Sequence, residues 1–197
     1  MLQADHISRS FGPIKVLDGV SITLEPGQVQ AVIGENGAGK STLMRILSGH
    51  LQPTEGQLLW DGTPFAFASA FEAEKKGVVV IHQEILLAED LTVAQNLFLG
   101  REIRRGLMVD DAAMYRRTEQ VLAELGTHMS PDAEIRRLSL ADRQFVQIGR
   151  ALLVPNQVVI FDEPTAVLTP VETEALFAGG CAARASRCCM CLTGSPR

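Results

Sequence analysis

Apolar positions in this chain gather into short β-branched runs separated by helical stripes. The opening stretches, LQADHISRSFG and GVSITLEPGQ, read as strand and turn. Gln28–Ile33 (QVQAVI) is short and apolar and predicts a strand. It runs directly into GENGAGKST and then TLMRILSG, where Leu43, Ile46 and Leu47 recur at helical spacing and Gly49 marks a stop. Gln57–Trp60 predicts a further strand, closed by the turn pair Asp61 and Gly62. Gly77–Ile81 (GVVVI) and Val158–Phe161 (VVIF) read as buried strands. Between them, Ala88 to Leu125 is mixed and helical, broken at Gly126 and Pro131. Ser139 opens another helix with a capping-box pattern that carries Asp142 where glutamate or glutamine is usual, and Pro155 is expected to end it. Apolar strands alternating with helices point to an α/β fold built on a parallel sheet.

Composition narrows the setting without changing that picture. With 197 residues the chain suggests one domain, and a net charge of −5 counts against a dedicated nucleic-acid binder, so no nucleic-acid partner is expected. No run reaches the roughly 18–20 apolar residues of a membrane span. The N-terminus has no signal-peptide pattern, so a cytoplasmic location is expected, with any membrane attachment through a partner. All four cysteines lie between Cys181 and Cys191, at spacings unlike a zinc site.

The chemistry is concentrated in two places. Gly34, Glu35, Asn36, Gly37, Ala38, Gly39, Lys40 and Ser41 match the eight-residue P-loop pattern, and Thr42 follows. Its glycines let backbone N–H groups turn inward toward phosphate oxygens, and the helix starting near Lys40 adds the positive end of its dipole. Lys40 brings a cation to the outer phosphates, and the Ser41 hydroxyl is a ligand for Mg²⁺. The second place is the end of VVIFDE, where Asp162 and Glu163 follow a buried strand at the end where ligands of parallel sheets bind. Asp162 would hold the metal's water shell, and Glu163 would polarise an attacking water. Alone this acid pair is weak, because many strands end in an acid; beside a P-loop it gains weight.

With these motifs the chain resembles the ATP-binding-cassette ATPases, over roughly residues 1–177, and in particular their monosaccharide-importer branch. The stretches LTVAQNLFLGRE (Leu91–Glu102) and DEPTAVLT (Asp162–Thr169) carry that finer likeness. The resemblance implies a P-loop NTPase fold: a mostly parallel sheet with antiparallel N-terminal strands and a helical insertion at about 88–150. It implies ATP and Mg²⁺ as ligands, with ATP hydrolysis driving sugar import. The expected partners are integral-membrane permease subunits, a second cassette and, indirectly, a sugar-binding protein, at the cytoplasmic face of the cell membrane. Gln83 falls where the family's glutamine contacts Mg²⁺ and the permease. Phe11, 29 residues before Lys40, falls where an aromatic stacks on adenine, a role favoured over the alternative of a core phenylalanine. The signature segment, which acts on the opposite cassette's nucleotide, is Leu138, Ser139, Leu140, Ala141 and Asp142 in place of the usual Leu-Ser-Gly-Gly-Gln. Ala141 takes the second glycine's place and crowds the approach to phosphate, which is expected to weaken action in trans.

The tail departs from the family. After Phe177 the resemblance calls for a helix and an apolar strand ending in Ser-His, whose histidine contacts the γ-phosphate. The chain reads AGGCAARASRCCMCLTGSPR instead, without a histidine. Codons permitted for Arg187–Pro196, read after skipping two bases, give Val-Leu-Tyr-Val-Ser-His-Arg-Leu-Ala. Residues 178–197 are therefore expected to be out of frame and the cassette truncated; a divergent terminus is the alternative. Cys188–Leu192 is apolar enough to form a strand in the missing slot, but negligible ATPase activity and poor solubility are expected. Two other functions remain open, a non-transport cassette ATPase acting on ribosomes or DNA, and a non-functional gene remnant.

Overall fold

Each predicted apolar run becomes a strand or a buried helix face, and the parallel sheet has one member drawn from the tail. The computed structural model describes residues 1–81, 84–162 and 187–193. Among them, two compact units separate: one from residues 1–81, 156–162 and 187–193, the other from residues 84–155.

In the first unit, β1 (Leu2–Phe11) and β2 (Ile14–Leu24) form a long antiparallel pair. With β4 (Glu55–Trp60) and β5 (Thr63–Phe65) they make a sheet in the order β2-β1-β4-β5. The second sheet is parallel, in the order β3-β10-β9-β6, from β3 (Val29–Gly34), β6 (Val78–Ile81), β9 (Val158–Asp162) and β10 (Arg187–Thr193). Val158, Val159, Ile160 and Phe161 of β9 are fully buried, as expected of a strand covered on both faces. Helix α1 (Lys40–Leu47) buries Leu43, Met44, Ile46 and Leu47 against a core that also holds Leu2, Ile7, Leu24, Leu58 and Phe67. A short helix α2 (Ala70–Lys75), capped by Ser69, leads into β6.

β10 pairs with β3 from Cys188↔Val29 to Thr193↔Gly34, and with β9 from Arg187↔Val158 to Cys191↔Asp162. The tail thus occupies the central slot between the strand before the P-loop and the strand before the acid pair.

The second unit contains α3 (Val93–Phe98), a two-residue hairpin β7 (Arg104–Arg105) and β8 (Met108–Val109), α4 (Asp111–Glu124), a 3-10 turn (Ile135–Arg137) and α5 (Leu140–Leu152). Its extent, 84–155, is slightly wider than the 88–150 expected from sequence. Helix α5 ends at Leu152, three residues before Pro155, because a residue preceding proline is itself driven out of helical geometry. The reciprocal capping box falls at Thr92 and Gln95, where each side chain bonds the other's backbone N–H. At Ser139 the cap is one-sided. Its Oγ accepts from the Asp142 N–H and donates to the Asp142 carboxylate at 2.7 Å, and the aspartate is too short to reach the Ser139 backbone as a glutamate would. Buried Asn96 stiffens the approach to α3: its Oδ1 accepts from Ala88 N–H, and its Nδ2 donates to the carbonyls of Ala88 and Thr92. No helix of the described residues is long and apolar enough to cross a membrane.

Candidate nucleotide site

The loop between β3 and α1 has the geometry of a phosphate cradle. Gly37 and Gly39 take left-handed φ values of 83° and 86°. A Cβ on Gly39 would lie 2.7 Å from both the Val16 carbonyl oxygen and Leu17 Cδ2, so glycine is required there for space as well as for torsion. Gly39 is also the N-cap of α1 and offers no side-chain acceptor, which leaves the first helical N–H groups open to an external anion. Lys40 is 8% exposed, and its Nζ donates to the carbonyls of Gly34 (2.8 Å) and Glu35 (2.7 Å). The amine is thereby held across the loop mouth. A cavity of about 420 Å³ opens there, lined by Val16, Asn36, Gly37, Gly39, Lys40, Ser41 and Thr42.

The sheet brings further predicted residues to the same end. Because β3, β10 and β9 are parallel, their C-terminal ends lie together, and Asp162 closes β9 two strands from Gly34. Adjacent strands are about 4.8 Å apart, so the two positions lie on the order of 10 Å from one another. Phe11 ends β1 at 47% exposure with the Arg9 guanidinium 4.8 Å from its ring centre, so it is not part of the core. Gln83 and Glu163 lie outside the described residues. In the second unit, Leu138 follows the 3-10 turn, Ser139 caps α5, Leu140 is exposed, and Ala141 and Asp142 are half-buried in the first turn. Sequence reasoning missed Val16, which reaches the cavity from β2; no motif marks it, because it arrives through the fold of a different hairpin.

A β-branched residue or alanine at Gly39 would meet both obstacles at once. Gly39→Ala is expected to cost roughly 1–2 kcal/mol from the left-handed torsion alone. Calorimetry should show a lowered unfolding midpoint together with weaker nucleotide binding; an unchanged midpoint would contradict the loop geometry.

A parallel sheet whose first strand passes through this loop into an uncapped helix defines a P-loop nucleotide-binding fold. Residues 17–166 match the ABC transporter family, and the chain belongs to that family. It is 47% identical over 178 residues to the ribose import ATP-binding protein RbsA 3 of Rhizobium etli, covering 90% of this chain and 35% of that protein. It is 45% identical over 178 residues, with the same coverage, to the ribose import ATP-binding protein RbsA of Rhodopirellula baltica. The chain therefore spans about a third of the length of these curated relatives. Among solved structures, the ADP conformation of an ATP-binding cassette from an ABC transporter matches with a TM-score of 0.78 at 26% identity, covering 100% of this chain and 81% of that one. A nucleotide-free cassette matches with a TM-score of 0.75 at 27% identity, covering 98% and 81%. The α/β cassette fold expected from sequence is the fold observed.

Proposed function

We propose that this chain is the nucleotide-binding part of an ATP-driven monosaccharide importer, working at the cytoplasmic face of the membrane with permease subunits and a second cassette. The observation that carries the reading is the P-loop geometry: open helix N–H groups, left-handed Gly37 and Gly39, and Lys40 poised over a cavity large enough for phosphates. The names of the relatives, ribose import ATP-binding proteins, support the sugar assignment.

The chemistry follows from residue roles. The amides at the start of α1 and the Lys40 ammonium bind the β- and γ-phosphates of ATP. Mg²⁺, held by Ser41 Oγ, Gln83 and, through water, Asp162, would neutralise charge that builds on the phosphates. The donor set of hydroxyl, amide and carboxylate oxygens is the hard-oxygen type this cation takes. Phe11 would cover one face of adenine. Glu163, following Asp162, orients and polarises the attacking water. Ser139 and its helix N-terminus present donors to the nucleotide of the opposite cassette, with Ala141 narrowing the approach.

We also propose that residues 178–197 are read out of frame. The register of β10 supports this, because the alternative reading places Ser-His across positions 191–193, beside Gly34, where Leu192 pairs with Ile33 and Thr193 with Gly34. A histidine there would stand at the mouth of the P-loop. Reading the nucleotides downstream of the Phe177 codon in three frames tests it directly.

Glu163→Gln in a frame-restored chain should retain Mg-ATP binding and lose turnover by about 10²–10⁴-fold, because the amide keeps the shape but cannot act as a base. Turnover within tenfold of the parent would remove Glu163 from the catalytic role.

A further inference from the structure

The first turn of α5 can present Ser139 to a phosphate only if the chain entering it is held in one direction. The 3-10 turn Ile135–Arg137 makes that entry, and Arg136 and Arg137 are exposed. Two backbone bonds tie the turn to a neighbouring segment: Ile135 N–H donates to Leu91 O at 3.1 Å, and Arg136 N–H donates to Glu89 O at 3.2 Å. One side chain closes the arrangement from inside the helix. Arg143 sits one turn into α5, with its N–H bonded to Ser139 O at 3.0 Å. Its Nη1 donates to Glu89 Oε1 at 2.9 Å, and its Nη2 donates to the Arg136 carbonyl at 3.1 Å, two residues before Leu138. Its Nε is buried without a hydrogen-bond partner.

We propose that Arg143 is a positioning residue for the segment Leu138–Asp142, with Glu89 as its counter-anchor. The proposal rests on the reading above, in which that segment meets the nucleotide of a second cassette.

A planar guanidinium can hold two acceptors at fixed directions, whereas an ammonium on a flexible stem meets one of them as a point charge. Arg136 does not compete for Glu89, because its own guanidinium is taken by Glu134 at 2.8 Å and Asp90 at 3.4 Å. The Arg143 side chain is 24% exposed but Glu89 is 65% exposed, so the ion pair adds little to global stability. What it adds is direction: one group fixes both the carbonyl before the segment and the strand of chain beside it. The α4 helix makes none of these bonds and serves as an internal control.

The test uses the full chain with Mg²⁺ and a non-hydrolysable ATP analogue. Three readouts are taken: binding of a fluorescent ATP analogue, nucleotide-driven self-association by sedimentation, and amide exchange over residues 138–142 and over α4. Arg143→Met is expected to leave nucleotide affinity within about twofold and weaken self-association about tenfold, the range seen for coupled neighbours. Exchange should accelerate over 138–142 and stay unchanged in α4. Arg143→Lys should recover part of the self-association. Glu89→Gln should weaken it in the parent and have no further effect beside Arg143→Met. Undiminished self-association in Arg143→Met, a lysine variant no better than methionine, or an equal Glu89→Gln effect in both backgrounds each overturns the proposal. Nucleotide binding without self-association in the parent also overturns it and leaves the P-loop reading standing. A parent that binds no nucleotide removes both.

Discussion

Replacing Lys40 by alanine is expected to abolish measurable Mg-ATP binding while leaving a folded chain. The Lys40 ammonium is nearly buried and fixed over the cavity by two carbonyls, so it is the cation that a γ-phosphate entering the loop would meet. Leaving a charge in such a site without its partner costs about 2–5 kcal/mol, roughly 30- to several-thousand-fold in affinity. The same substitution removes the brace between Gly34 and Glu35, so a modest loss of thermal stability should accompany it. Titration with a fluorescent ATP analogue, with circular dichroism as the check on folding, measures both. Equal affinities in the variant and the parent would refute the assignment of this loop.

Removing residues 187–197 should have the largest effect on stability. β10 is hydrogen-bonded on both sides, so its loss leaves β3 without its neighbour in the sheet and turns β9 into an open edge. β3 already exposes Val29 and Ile33, at 44% and 70%, and a freed edge carrying apolar side chains promotes pairing with other chains. A domain's entire net stability is only about 5–15 kcal/mol, so there is little margin to absorb the loss of an interior strand. The shortened chain is expected to aggregate or to melt without a cooperative transition in differential scanning calorimetry. A subtler probe is Cys189→Pro, which deletes a ladder donor within a central strand and leaves its acceptor unpaired, at a cost of about 1–3 kcal/mol. A cooperative melt of the shortened chain near the parent midpoint would mean that the sheet does not depend on β10.

Much of this was legible from residues alone because local pattern and tertiary role agree. The apolar run Val158–Phe161 is a strand buried on both faces, and a run of that kind has few other fates. GENGAGKST needs glycines where the backbone turns left-handed, so its conformation is written in its composition. Other features depend on partners distant in sequence. Val16 lines the cavity only because β2 folds back along the loop, and the hairpin at Arg104–Val109 is two residues deep, too short to establish an alternation. Asp142 satisfied the capping pattern by type but not by reach, which only the side-chain geometry of α5 reveals. The tail was the hardest case. Its strand-forming character could be read from Cys188–Leu192, but whether it takes the central slot depends on β3 and β9 being left apart for it.

That placement has a consequence for how the chain is built. The strand at the centre of the parallel sheet is contributed by residues 187–193, while its neighbours β3 and β9 begin at residues 29 and 158. During synthesis the antiparallel sheet of β1, β2, β4 and β5 can close early, since its members lie within the first 65 residues. The parallel sheet cannot. β3 must wait with an unfilled gap beside it until more than 150 further residues have left the ribosome, a span given by the separation of β3 and β10. Pairings over such separations form slowly, and the waiting strand is a point of capture for chaperones or for other nascent chains.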